Sequence, residues 1–194
     1  MPMHPFKRLV LAIGLTLSAV GCGHMPVTSM VKLVRVDFQT SDPAQLRAAV
    51  RLPTSLRPLP GGVVLRIAVK RGRGAEQQRD FVLREIPDPP ALAQEAGAGT
   101  RIYAYRLEEA DTVRLQSFRA ELMAEKNSAG GGSITISVAP KACTTVALPA
   151  GPINFTTYLR TSETIDYVTL ARDVDLRSIA PDQAVVDGIP RCPT

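Results

Sequence analysis

Four apolar residues, Val63, Leu65, Ile67 and Val69, occupy alternate positions of one short stretch. That spacing puts all four on one face of a β-strand, whereas a helix would scatter them around its circumference. A strand with one greasy face must lay it against another apolar layer, so the chain is committed to a sheet with a covered side. The same period recurs along the chain. Phe81 and Leu83, with Val82 and Ile86 opposite, predict a second strand reached through the turn at 71–77, and the two read as a hairpin. Ile102 and Ala104 alternate with Tyr103 and Tyr105 from Arg101 to Leu107, and Ile134, Ile136 and Val138 alternate again. Phe155 to Arg160 and Tyr167 to Ala171 read as two strands joined by Thr161-Ser162-Glu163, and Val34, Val36 and Phe38 against Arg35, Asp37 and Gln39 predict one near the start of the domain.

Helical period is rarer. From Asp111 to Lys126, Leu115, Phe118 and Leu122 recur at three- and four-residue spacing while Arg114, Gln116, Arg119 and Glu121 point away, an apolar stripe suited to covering a sheet. Asp42-Pro43 offers a cap followed by a proline in the first turn, predicting a short helix to about Arg51 with Leu46, Ala49 and Val50 inward. Pro53, Pro58 and Pro60 then read as a rigid extended link, and Pro87, Pro89 and Pro90 precede a short helical turn from Ala91 to Glu95. Asp173-Val174-Asp175-Leu176 closes the regular part, and Pro181, Gly188, Pro190 and Pro193 mark an irregular tail. No internal repeat is visible. Grouped strands with an intervening helix argue for an α+β domain with a mainly antiparallel sheet, one longer covering helix and short helices; a β-sandwich with peripheral helices is the rival.

The chain opens on a different kind of segment. Lys7 and Arg8 supply positive charge, an uncharged run follows from Leu9 to Val20, and Ala19-Val20-Gly21-Cys22 ends it. The run is about half of the roughly 20 apolar residues a spanning helix needs. It is the shape of an export signal, and its last four residues resemble the lipobox of bacterial lipoproteins, with Ala19 where leucine is most frequent. The resemblance covers the leader alone. It implies a signal peptide at 1–21, a diacylglycerol thioether and an acylated amino group (palmitate being the usual chain) on Cys22, and a lipid anchor in the bacterial cell envelope facing the periplasm. Gly23 after that cysteine favours the outer membrane over the inner. An ordinary signal cleaved beside Gly21, leaving Cys22 a thiol, is the alternative. Residues 22–29, with Gly23, Pro26, Thr28 and Ser29, read as a tether, and 30–194 as a single globular domain of periplasmic type.

Cysteine parity fits export. Of three cysteines, lipid on Cys22 leaves Cys143 and Cys192 as a pair with one possible connectivity, expected to form a disulfide bond in an oxidising compartment. The formal charge of +5 falls to +3 without Lys7 and Arg8, and the remaining bases are interspersed with acids, so no nucleic-acid partner is expected. Arg-Gly-Arg-Gly at 71–74 is the densest basic spot, and it sits in a turn where glycine and solvated charge have structural uses.

Function is bounded by what is missing. His4 and His24 precede the domain, so no imidazole stands beside a serine or thiol or completes the usual zinc sets, and Gly-x-Ser-x-Gly does not occur. Gly130-Gly131-Gly132 leads into a strand with no lysine-serine or lysine-threonine pair after it, which excludes a phosphate loop. Carboxylate chemistry has two candidate groups: Glu108, Glu109 and Asp111 before the long helix, where acids complement the helix dipole, and Asp173 with Asp175, where turn or capping roles compete with calcium. Tyr103, Tyr105, Tyr158 and Tyr167 are candidate pocket residues or strand residues at a core edge. The expected function is that of a non-enzymatic lipoprotein, membrane-bound through Cys22, with no cofactor or metal, serving another envelope protein or assembly as scaffold or accessory factor. A carboxylate-dependent enzyme or a small-ligand receptor in the periplasm is the alternative.

Overall fold

A computed structural model describes residues 40–72, 74–126, 132–179 and 186–193 of the chain. Seven strands form it: β1 (Arg47–Pro53), β2 (Leu56–Arg71), β3 (Gln77–Ile86), β4 (Thr100–Leu107), β5 (Gly132–Thr144), β6 (Asn154–Arg160) and β7 (Val168–Asp175). Every pairing is antiparallel and the order is β5-β2-β3-β4-β1-β6-β7. The sheet curls into a nearly closed barrel. One long helix, α1 (Glu109–Lys126), lies between β4 and β5 in the chain, and a one-turn helix, α2 (Leu176–Ile179), follows β7.

The expected hairpin is present, with Leu65 opposite Phe81 and Val64 opposite Val82. After Val82, β3 leaves β2 and pairs instead with β4, Leu83 facing Leu107, and this change of partner lets the sheet curl. Val63, Leu65 and Ile67 are buried in the concave core together with Phe81, Leu83, Leu107 and Val138. Helix α1 covers part of that core as its stripe requires. Leu115 is fully buried, and Phe118 stacks at a tilt on Phe81 with ring centroids 6.0 Å apart. The Asp111 carboxylate accepts from the Val82 N–H and pairs with Arg114, fixing the start of the helix to β3.

Three expectations change. The cap at Asp42 is real, its side chain accepting from the Ala44 N–H at 2.9 Å, but it starts only a 3-10 turn, Pro43–Gln45. The predicted helix to Arg51 is replaced by β1, which runs between β4 and β6. Ala48, Val50 and Leu52 face the main core, and Ala49 faces a second cluster on the other side with Leu92, Ile102 and Tyr158. A strand buried on both faces loses the alternation that would have announced it. The proline link is likewise absorbed, because Pro58 lies within β2, whose register shifts between Pro58 and Val63, with Gly61 at φ +64° in the irregularity. Arg119, expected to point away, is buried on the helix and donates to the Ser41 carbonyl. The candidate strand at Val34–Phe38, the residues Gly130 and Gly131, and Pro181 lie outside the described residues.

Candidate functional site

The sheet ends at β5 on one side and at β7 on the other, and the barrel stays open between them. This seam holds a cavity of about 720 Å³. Residues 136–142 of β5 form one wall, Phe155, Leu170 and Val174 of β6 and β7 the facing one, and Leu176 and Ile179 of α2 close an end. The alternation of Ile134, Ile136 and Val138 along β5 explains the lining. Ile136 and Val138 turn inward opposite Ile67 and Leu65, and among the described residues no further strand pairs with β5 beyond β2.

A third wall comes from the C-terminal tail, through Val186, Ile189 and Pro190. Val186 is fully buried at 1% exposure. The tail is fastened at Thr144, whose N–H donates to the Pro190 carbonyl at 2.8 Å and whose carbonyl accepts from the Cys192 N–H at 3.0 Å, making a parallel bridge with Arg191. Beside that bridge Cys143 and Cys192 stand at disulfide distance, their Cα atoms 4.8 Å apart. The pair expected from parity therefore borders the cavity's tail wall.

Among the described residues lining the seam, only Ser137, Lys141 and Thr157 carry polar side chains, and Lys141 is an exposed residue whose charge acts on the Asp80 carboxyl of β3. A volume of this size lies within the roughly 300–1,000 Å³ of small-molecule pockets. Its lining is that of an apolar receptacle with few polar side chains.

The residues singled out in the sequence lie elsewhere. Tyr103 and Tyr105 are in the main core, and Tyr158 and Tyr167 belong to the outer cluster over β1. Burial raises the pKa of all four phenols, and that of Tyr158 reaches about 12, helped by the Glu95 carboxylate that accepts its hydroxyl at 3.0 Å. Of the acids, Asp111 anchors α1, and Asp175 accepts from the N–H groups of Ile153 and Arg177, capping α2. Asp173, at φ +49° beside a register shift of β6 and β7, pairs with Arg51 and takes its own N–H bond to Thr156 Oγ1 at 3.0 Å. Each of these three aspartates has a structural partner, and Glu108 and Glu109 are exposed at the start of α1. Sequence reading missed Glu95, which holds the 3-10 turn Pro90–Glu95 against the sheet through Tyr158, Arg51 and Arg172; only its place at the end of a predicted turn marked it.

A second cavity, about 490 Å³, opens where β3 departs from β2, and is lined by residues 57–61, Leu83, Glu85, Glu108, both cysteines and Tyr105. The Tyr105 hydroxyl has no hydrogen-bond partner among the described residues, and burial with the nearby Glu85 charge keeps the phenol protonated. Among the described residues no cluster of three or more histidines, cysteines or acids is placed to hold a metal ion, and no helix is long and apolar enough to cross a membrane. Cys22, His4 and His24 lie outside the described residues. No protein-family model, curated protein or solved structure matches the chain.

Proposed function

We propose that this chain is a lipid-anchored protein of the bacterial cell envelope that acts by binding, not catalysis, and that the seam cavity holds the hydrocarbon chain of an amphiphile. The observation behind this reading is the cavity itself, apolar on three walls. Water gains little from a space that offers few polar partners, whereas each methylene buried there contributes about 0.8 kcal/mol. Such a ligand is also the material of the surface to which the leader points.

Lys7, Arg8, the run to Val20 and the lipobox-like Ala19-Val20-Gly21-Cys22 support the anchor. In this reading two lipid-bearing groups on Cys22 give stable membrane attachment. Another envelope protein is the natural counterpart, supplying or receiving the amphiphile, and the protein needs no cofactor.

Two measurements test the proposal. Mass spectrometry of the mature amino terminus should find an acylated Cys22; a different, unacylated first residue removes the anchor. The Cys22→Ser protein, released in soluble form, should bind the fluorescent fatty acid cis-parinaric acid saturably, with palmitate displacing it. Unsaturable partitioning would remove the cleft as a ligand site.

A further inference from the structure

Resting on the cleft as the ligand site, we infer that the Cys143–Cys192 bond builds one of its walls, so that ligand affinity and the redox state of this pair are coupled. The tail wall consists of Val186, Ile189 and Pro190, and among the described residues beyond α2 no strand is formed. Prolines at 190 and 193 and the glycine at 188 keep it from joining the sheet as a regular strand. It reaches β5 instead by the hydrogen bonds at Thr144 and by the cysteine pair two residues beyond Pro190.

The covalent link spans a separation of 49 residues, a long loop whose closure the chain-entropy account rates among the more stabilising. Without it, the backbone bonds at Thr144, the bond from Thr144 Oγ1 to the Pro190 carbonyl and the burial of Val186 and, in part, of Ile189 hold the wall against the freedom of a tail no longer covalently closed. A ligand then meets two walls of sheet and one that opens to water.

Reduction is chemically direct. A thiolate of a dithiol reductant attacks the sulfur of Cys192, the half-buried partner, forming a mixed disulfide and expelling the Cys143 thiolate. The reductant's second thiolate then displaces Cys192 and leaves as a cyclic disulfide. Two electrons pass to the protein, and both cysteines end as thiols after protonation. Cys143, 2% exposed, is shielded from the first attack.

Coupling runs both ways. If the bonded form binds ligand more tightly, ligand must favour the bonded form by the same factor. A tenfold difference in affinity corresponds to a tenfold shift in the disulfide equilibrium, or about 30 mV for this two-electron couple.

The test uses the soluble Cys22→Ser chain with cis-parinaric acid as probe. Oxidised protein should bind at least tenfold more tightly than protein reduced with dithiothreitol or the Cys143→Ala/Cys192→Ala variant, at unchanged far-ultraviolet circular dichroism. Equal affinities in folded oxidised and reduced protein would overturn the inference while leaving the cleft as the ligand site. Failure of the oxidised protein to bind would overturn the cleft reading and this inference with it. Should the variant or the reduced form unfold, the oxidised equilibrium decides: in glutathione buffers saturating palmitate should shift the Cys143–Cys192 couple about tenfold toward the disulfide, and no shift would overturn the coupling.

Discussion

Two stretches of the same curled sheet need cover, and the molecule covers them by opposite means. Over β3, helix α1 lays Leu115 and Phe118 into the core and locks its first turn through Asp111 to the Val82 N–H. Over the seam between β5 and β7, an irregular tail touches down at Thr144 and Cys192, and the described residues there line a cavity of about 720 Å³. The first cover is periodic, local and complete; the second is aperiodic, covalently fastened and incomplete. Side chains that interdigitate leave no room for anything else, so a site for a ligand belongs to the second kind of cover.

The sharpest way to break that contrast is to remove volume under the helix. Phe118→Ala should destabilise the domain by about 3–5 kcal/mol in urea unfolding, because Phe81 and its neighbours cannot close the space. A change below 1 kcal/mol would mean the helix is loosely packed after all. Next in size, removing both Cys143 and Cys192 should cost about 2–4 kcal/mol, since the loop they close is long. The unfolding midpoint should fall without loss of the cooperative transition.

A smaller effect concerns the outer cluster, where the comparison extends to charge. The Tyr158 phenol is raised from 10 to about 12 by burial and the Glu95 carboxylate, so its protonated form belongs to the folded state. Its contribution is fully present below pH 10 and is lost as pH rises through about 12, and Tyr158→Phe should flatten that alkaline loss in thermal unfolding. The smallest effect should come from filling the seam. Ala142→Leu adds bulk to a half-buried wall residue facing open space, and stability should change by less than about 1 kcal/mol while cis-parinaric acid binding weakens. A large stability loss would show that the seam is packed like the helix side.

What the sequence reveals follows the same division. The β2–β3 hairpin and the stripe of α1 are legible because each buries one face, which imprints a period on Val63 to Val69 and on Leu115, Phe118 and Leu122. Strand β1 is illegible for the converse reason. It lies between β4 and β6 with both faces buried, so Leu46, Ala49 and Val50 mimic helical spacing behind a genuine cap at Asp42. Period also says nothing of neighbours. The order that makes β5 and β7 the ends of the sheet is set by long-range pairing, and with it the seam, so Ile136 and Val138 read as half-buried without disclosing what they face. Cysteine parity marks the fastening of the tail, through Cys143 and Cys192, but not the cavity beneath it.

The chain has no tryptophan, which permits one direct comparison of its two covers. Tryptophan is placed either at Ile179, exposed at the edge of the seam, or at Val113, exposed on α1, and each soluble Cys22→Ser protein is titrated with bromine-labelled stearate. Quenching at position 179 should saturate near one equivalent, and position 113 should stay bright. Equal quenching at both positions, or none at 179, would contradict the seam as the place where this protein holds its ligand.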